Sequence, residues 1–188
     1  VFLIQKDRNS DLIHISYSTP KTQSRVYLYN LKTKEKKLVK EQIIPSGHNP
    51  DNYIVERLDC DSHDGKKIPL TIIRNKKTKI DGNAKLLLYG YGSYGNSMSP
   101  SFSSNKFSLI DRDIIWVTAH VRGGLERGMK WWKEGKLLNK KNTFKDYISV
   151  AKFLIEKKYS SKGKIIGMGG SAGGLLMGAV VNEAPELF

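Results

Sequence analysis

The chain has 188 residues, enough for one domain, or for one small domain and part of another, with a buried core. Its formal net charge is +14 at pH 7, but the excess is mostly scattered lysine, without the arginine clusters and interleaved aromatic residues expected of a nucleic-acid-binding surface. No apolar run approaches the roughly 18 residues that a membrane span needs, so we expect neither nucleic acid nor membrane as a partner.

The first 45 residues have the pattern of antiparallel strands. Residues 12–17 and 25–31 are short runs of β-branched and aromatic residues separated by turn-forming residues, and residues 32–37 form a turn that leads into another strand. A sheet this small is marginal alone, which predicts that it belongs to a larger sheet. Proline, glycine and asparagine concentrate in residues 43–52, and we place a domain boundary at residue 45.

Two further strands are expected at residues 53–60 and 67–74, around a polar turn. The first of them contains Cys60, the single cysteine of the chain, which excludes an internal disulfide and fits a reducing, cytoplasmic compartment. Because Asp59 and Asp61 flank this thiol and disfavour the thiolate, Cys60 is a poor candidate for a nucleophile.

The rest of the chain alternates apolar runs with helical patterns. We expect buried strands at 84–91, 113–121 and 164–168, and helices at 142–159 and 172–185. Asn142 or Thr143 is the expected N-cap of the first of these helices. Strands that alternate with helices predict a parallel sheet with crossover helices, and therefore an α/β fold.

The glycine-rich segment 164–174 fits two different motifs. Gly167–Ala172 matches the dinucleotide fingerprint G-x-G-x-x-G/A, whereas Gly169–Gly173 matches the nucleophile elbow G-x-S-x-G. A dinucleotide site also needs an acidic residue about 20 positions later, at the tip of the next strand. Glu183 and Glu186 have that spacing but lie at the end of the predicted helix, so we expect no dinucleotide and no other cofactor.

Ser171 has the surroundings that an elbow nucleophile needs. Its neighbours are glycine or alanine, so the backbone can bend sharply between strand and helix and a substrate carbonyl can approach the hydroxyl. The helix that follows directs its free N–H groups and the positive end of its dipole to the same place, where they favour an oxyanion. A turn that is rich in glycine only for close packing is the alternative, and we favour the nucleophile.

A serine nucleophile needs a histidine base and an orienting acid, which follow the serine in this fold class. Only 17 residues follow Ser171, and none of them is histidine. His120 precedes it, but a histidine at the end of a buried strand is better explained as structural. The chain is therefore predicted to carry half of an active site, and we expect no metal.

Five segments carry a resemblance to a known family: LLLYGYGSYG (86–95), AHVRGG (119–124), EGKLLNKKNTFKDY (134–147), GMGGSAGGLLMG (167–178) and NEAPELF (182–188). With them the chain resembles a fragment of the prolyl oligopeptidase family of serine peptidases, especially its oligopeptidase B (protease II) branch. The resemblance implies the terminal strands of a β-propeller over residues 1–45. Over residues 46–188 it implies the N-terminal half of an α/β-hydrolase catalytic domain.

The same resemblance assigns roles to particular residues. It implies Ser171 as the acylating nucleophile, with the Ala172 backbone N–H and the Tyr91 hydroxyl as donors to the oxyanion. Arg122 is expected to be structural and to pair with a carboxylate. Leu125 stands where the family usually has glycine, which removes freedom at positive φ in that loop.

The activity implied by the resemblance is that of a serine endopeptidase that cleaves short peptides after arginine or lysine. The triad aspartate and histidine and the acidic specificity pocket belong to the C-terminal part of the family, so a complementary chain that carries them is an expected partner. A catalytically inactive remnant of a split or truncated gene is the second hypothesis. An esterase or acylaminoacyl peptidase of the same fold and, less favoured, a basic binding module complete the alternatives.

Overall fold

The computed structural model describes residues 2–4, 7 and 9–188. Over these residues the strands are β1 (Phe2–Ile4), β2 (Leu12–Thr19), β3 (Thr22–Asn30), β4 (Lys36–Glu41), β5 (Tyr53–Asp61), β6 (Lys67–Asn75), β7 (Leu86–Gly90), β8 (Ile115–Ala119) and β9 (Ile165–Met168). The α-helices are α1 (Ser104–Ile110), α2 (Met129–Lys133), α3 (Lys141–Glu156) and α4 (Ala172–Glu183). Residues 1, 5, 6 and 8, which fall in the segment predicted as propeller strands, lie outside the described residues.

Strands β1 to β4 form an antiparallel sheet in chain order, as the sequence predicts. A tight turn joins β2 and β3, where Thr19 pairs with Thr22. Among the side chains of this sheet that the structure describes, Ile13 is the buried hydrophobic residue, and every residue of β4 is exposed. These described side chains form almost no core, in agreement with the expectation that the sheet belongs to a larger β structure.

Strands β5 to β9 form a second sheet in the order β5-β6-β8-β7-β9. The pairs β5–β6 and β6–β8 are antiparallel, whereas β7 runs parallel to both β8 and β9. Leu88 at the centre of β7 pairs with Val117 on one side and Gly167 on the other. The predicted parallel arrangement with crossover helices is confirmed for β7, β8 and β9, within a mixed sheet, and with it the α/β fold class.

Helices cover both faces of this second sheet. Helices α3 and α4 pack on one face through Tyr147, Leu154 and Leu176, each with no exposed surface. Helix α1 packs on the other face through Phe107 and Ile110, against aromatic and aliphatic residues of β5 to β8. Both faces are therefore buried at β7 and β8, which explains the continuous apolar sequences of these two strands.

Strand β9 was predicted to be buried, and that prediction is wrong for most of the strand. Ile165 is buried, but Ile166 and Met168 on the opposite face are 46% and 45% exposed. The reason is topological, because β9 is an edge strand of the sheet and helix α1 covers β6 to β8 instead.

The predicted N-cap of α3 is also wrong. The helix begins after Lys140, and neither expected side chain caps it. Thr143 instead donates to the Arg122 carbonyl at 2.8 Å, and Asn142 donates to the Glu134 carbonyl at 3.0 Å. Both side chains bind neighbouring loops, because α3 starts within tightly packed chain rather than at an open end.

Two residues connect the sheets: Lys21 in the turn between β2 and β3, and His48 in the segment between the sheets. The Lys21 ammonium donates to the Tyr53 carbonyl at 3.2 Å, and His48 Nε2 lies 2.8 Å from the Lys21 carbonyl. His48 also stacks on the Tyr53 ring, with centroids 5.1 Å apart. The domain boundary at residue 45 stays a prediction.

Within the described residues, no helix is both long and apolar enough to span a bilayer.

Candidate active site

Ser171 occupies a strained turn between β9 and α4. Its backbone has φ 54° and ψ −121°, a conformation that residues with a side chain rarely adopt. The residue is exposed and immediately precedes the first residue of α4. The sharp bend that the motif predicts is present, and it displays the hydroxyl at the carboxyl edge of the parallel strands.

Two glycines allow this turn to pack against strand β7. A Cβ atom on Gly173 would lie 2.8 Å from the Gly90 carbonyl oxygen, and one on Gly169 would lie 2.9 Å from the same oxygen. Real Cβ atoms essentially never come so close to backbone atoms. The small residues of the motif therefore allow close packing and also hold Ser171 on its sharp turn. A packing role for the glycines is compatible with a nucleophile role for Ser171.

Groups suited to bind an oxyanion lie beside Ser171. Ala172 is the first residue of α4, and first-turn N–H groups have no acceptor within their own helix. The Gly173 and Gly174 amides are used inside the turn, where they donate to the carbonyls of Gly170 and Ser171 at 2.8 Å. Tyr91 packs against this turn, since a Cβ on Gly173 would be 3.5 Å from the Tyr91 ring. The structure thus places the Tyr91 ring against the turn that contains Ser171 and Ala172.

The loop that carries Tyr91 is held at several points. The Lys140 ammonium donates to the Gly92 carbonyl at 2.6 Å and to the Ser93 hydroxyl at 2.8 Å. Further along, the Gly95 amide donates to the Gly123 carbonyl at 2.9 Å. Lys140 was not singled out from the sequence, where it is one of many lysines and no spacing distinguishes it.

A cleft of about 680 Å³ lies between this loop, the loop before α3 and the first turn of α4. Aromatic and aliphatic side chains form much of its wall, and two lysines reach into it. Its lining includes Tyr94, Trp132, Lys136, Leu137, Lys140 and Leu175. The cleft offers an apolar surface beside the first turn of α4, which Ala172 and Leu175 line.

Arg122 forms a buried ionic cluster behind the site, as predicted. Its guanidinium is 1% exposed and donates to Asp146 at 2.6 Å and to Asp64 at 2.6 Å. Burial alone would lower the pKa of Arg122, but the hydrogen bonds to Asp146 and Asp64 outweigh it and hold the pKa above its ordinary value. Leu125, a few residues later, does not take positive φ, so the glycine-to-leucine difference leaves this loop unstrained at that position.

His120 is buried at the end of β8. Its Nε2 atom lies 2.9 Å from the Thr71 hydroxyl. Its Nδ1 atom has no hydrogen-bond partner within the described part of the chain and lies 3.5 Å from a carboxylate oxygen of Glu126. These contacts agree with the structural role predicted for His120.

The other histidines occupy separate places. His14 is exposed on β2, and His48 stacks on Tyr53 as described above. His63 is exposed, with its Nδ1 atom 3.1 Å from the Ser62 hydroxyl. None of the histidine contacts recorded among the described residues involves Ser171. The same residues hold no group of three or more histidine, cysteine, aspartate or glutamate side chains arranged to bind a metal.

Chemically, the arrangement offers a serine hydroxyl, the first-turn amide of Ala172 next to it and a neighbouring tyrosine side chain. This set can receive a carbonyl and stabilise the negative charge that develops on its oxygen. The contacts described above include no histidine or other general base that could accept the proton of the Ser171 hydroxyl.

Comparison with known proteins gives consistent matches. Residues 100–188 match the model of the prolyl oligopeptidase family. The chain is 45% identical over 183 residues to dipeptidyl aminopeptidase BI of Pseudoxanthomonas mexicana, which covers 97% of the chain and 25% of that protein. It is 39% identical over 186 residues to protease 2 of Moraxella lacunata, which covers 99% of the chain and 27% of that protein.

The fold matches solved structures as well. Oligopeptidase B from Leishmania major superposes with a TM-score of 0.85 and 38% identity, over 97% of this chain and 25% of that one. The chain spans about a quarter of the length of the relatives that it matches.

Proposed function

Because the chain belongs to the prolyl oligopeptidase family, we propose that it supplies the nucleophile and the oxyanion-binding groups of a serine peptidase. The observation that carries the proposal is the strained, exposed backbone of Ser171 at the N-terminus of α4. Strain of this kind costs free energy and persists where the surrounding structure enforces it, often at a catalytic position.

In the proposed reaction, the Ser171 hydroxyl attacks the scissile carbonyl and forms a covalent acyl-enzyme. The Ala172 amide and the Tyr91 phenol donate hydrogen bonds to the oxyanion of the tetrahedral intermediate. The serine proton passes to a histidine base, which gives it to the departing amine as the scissile C–N bond breaks. Water, deprotonated by the same histidine, later releases the acyl group and restores the Ser171 hydroxyl. We place that histidine and its aspartate partner on a complementary C-terminal segment.

Short peptides cut after arginine or lysine are the proposed substrates, as for an oligopeptidase B. The sequence resemblance to that branch supports this choice, as does the 39% identity to protease 2. The relative named dipeptidyl aminopeptidase raises a second candidate, the release of dipeptides from a free N-terminus, and its 45% identity makes that activity worth separating from the first. A cytoplasmic location remains part of the proposal.

The experiment measures hydrolysis of an arginyl amide by the purified chain in two arms. In the first arm the chain is alone, and in the second it is mixed with a polypeptide taken from protease 2 of Moraxella lacunata, namely the part that follows the matched region. We expect hydrolysis that is lost in Ser171→Ala. A blocked arginyl substrate and an unblocked dipeptidyl substrate distinguish an endopeptidase from a dipeptidyl peptidase. Absence of Ser171-dependent hydrolysis in both arms would favour the inactive remnant.

Tyr91→Phe tests the oxyanion role separately. Removal of one oxyanion donor typically lowers turnover on the order of a hundredfold to a thousandfold, and we expect that loss here with unchanged folding. Tyr94→Phe, which removes a hydroxyl from a 77% exposed side chain on the same loop, is the matched control. Equal turnover in Tyr91→Phe and the wild type removes Tyr91 from the mechanism.

A further inference from the structure

Lys140 lies in direct contact with the two residues that follow Tyr91. Its Nζ atom is 2.6 Å from the Gly92 carbonyl oxygen and 2.8 Å from the Ser93 hydroxyl. Gly92 has φ +63°, and a Cβ at that position would come 2.7 Å from a methyl group of Val121. Contact with Val121 restricts the loop on the side of the core, and hydrogen bonds from the Lys140 ammonium hold it on the side of the cleft.

This position is unfavourable for a lysine that has no role. The side chain is partly buried, and burial lowers the pKa of the Lys140 ammonium to about 8. Among the described residues, no carboxylate forms an ion pair with it. Lys140 is also the N-cap residue of α3, at a helix end where positive charge is disfavoured. Two hydrogen bonds to the Tyr91 loop offset these costs, together with a longer contact of the Nζ atom, 5.9 Å from the Phe144 ring centroid.

We propose that Lys140 is a positioning residue whose ammonium group fixes Gly92 and Ser93 and thereby holds the Tyr91 phenol beside Ser171. This inference rests on the proposed function, since the position of the phenol matters for catalysis only if Tyr91 binds the oxyanion. It adds a residue outside the serine turn to the groups that prepare the site.

The proposal has a pH signature. Because burial lowers the pKa of the ammonium to about 8 in the held loop, the held state gives up this proton more readily than an opened state with the lysine in water, so the loop becomes better protected as the pH rises through about 8. The other titratable groups on the cleft are the Lys136 ammonium, which lies 3.7 Å from the Trp132 ring centroid, and the Tyr94 phenol. Arginine at position 140 keeps its charge throughout this range and removes the transition.

Hydrogen exchange followed by mass spectrometry tests the contact on the full chain, without any need for catalysis. Loss of hydrogen bonds to a charged group predicts an increase of about tenfold or more in amide exchange over residues 91–95 in Lys140→Met at pH 7. Lys140→Arg is expected to stay near the wild type, and Lys136→Met, which changes the neighbouring lysine of the cleft, should have no effect. In the wild type, protection of the same segment should rise between pH 7 and pH 9 after correction for intrinsic exchange, and in Lys140→Arg it should not.

Two results overturn the proposal. One is unchanged amide exchange over residues 91–95 in a folded Lys140→Met, and the other is the same pH dependence of exchange in Lys140→Arg as in the wild type. If Lys140→Met does not fold, the comparison of Lys140→Arg with the wild type decides. Turnover in the Ser171-dependent assay gives the second readout: kcat falls in Lys140→Met with little change in KM, and Lys140→Arg restores it. A loosened loop with unchanged kcat contradicts positioning. If the wild type shows no Ser171-dependent hydrolysis, the proposed function fails, whereas the exchange result still decides on the contact.

Discussion

Arg122 shows how one buried charge organises several loops. Its guanidinium binds Asp146 and Asp64, and the Asp146 carboxylate also accepts from the Ser62 hydroxyl at 2.5 Å and from the Arg122 backbone amide at 3.0 Å. The Arg122 guanidinium, the two carboxylates and the Ser62 hydroxyl thus satisfy one another's hydrogen bonds. In a low-dielectric interior an unpaired polar group would be costly. Removal of the cation leaves a fully buried carboxylate without its counter-charge.

We therefore expect Arg122→Met to lower the free energy of unfolding by about 3–5 kcal/mol. Arg127→Met is the matched control. Arg127 pairs with Asp59 at 2.8 Å, but the Arg127 side chain is 41% exposed and the Asp59 side chain is 50% exposed. An exposed pair contributes at most about 1 kcal/mol. Urea unfolding of the two variants measures the difference, and equal losses would show that burial of the Arg122 cluster has no energetic consequence.

Cys60 is predicted to be chemically inert in the native protein. The side chain is 1% exposed, and burial, followed by the charge of Asp61, raises the pKa of the thiol to about 12. The sequence identified the neighbouring carboxylates, but burial is the larger cause. At pH 8 the thiolate fraction is then on the order of 10⁻⁴, and we expect a disulfide reagent to label Cys60 only after denaturation. Rapid labelling of the folded chain at pH 8 would contradict this expectation.

At the scale of elements, helix α3 ends in a Schellman motif with an unusual residue. The Tyr159 amide donates to the Leu154 carbonyl at 2.9 Å and the Lys158 amide to the Ile155 carbonyl at 3.0 Å. This motif requires a left-handed residue, and Lys158 supplies it with φ 60°. Glycine is the usual residue at such a position because it has no Cβ to strain.

Lys158→Gly is accordingly expected to stabilise the chain by about 1 kcal/mol. The preceding residue provides the control, since Lys157 has φ −80° and gains nothing from glycine. Lys157→Gly should lose about 0.5–1 kcal/mol through the entropy of the unfolded chain. Thermal or urea unfolding gives both signs, and destabilisation by Lys158→Gly would refute the motif as the reason for the lysine conformation.

The elements that sequence alone predicts correctly are those with strong periodicity. The apolar runs of β7 and β8, the helical spacing of α3 and the glycine turn at Ser171 each record a local requirement that is written in neighbouring residues. Helix α1 was not predicted, because its seven residues follow a serine-rich loop and carry only a short apolar pattern. The contact between Lys140 and Gly92 joins residues 48 positions apart, and no local pattern encodes it.

At the scale of the whole molecule, the two sheets differ in how their exposed edges are protected. Strand β9 carries no charged side chain, and Ile166 and Met168 lie on the same exposed face. Strand β4 exposes a similar pair, Leu38 and Val39, at 45% and 47%. In β4, however, lysines flank this pair. Lysine on an edge strand opposes pairing with another chain, so β9 is less protected than β4.

We expect the isolated chain to associate through β9 when its net charge is screened. At about 0.15 M salt the Debye length is about 8 Å, and the repulsion that a charge of +14 produces at low salt is then short-ranged. Sedimentation velocity over a concentration series should reveal association, and the double variant Ile166→Lys with Met168→Lys should weaken it at least about tenfold, since two half-exposed apolar side chains are lost from the contact. The matched double variant Leu38→Lys with Val39→Lys adds the same charge to β4 and should leave association nearly unchanged, because that edge already carries lysine. Equal weakening by the two double variants would show that net charge, rather than the apolar β9 edge, controls association.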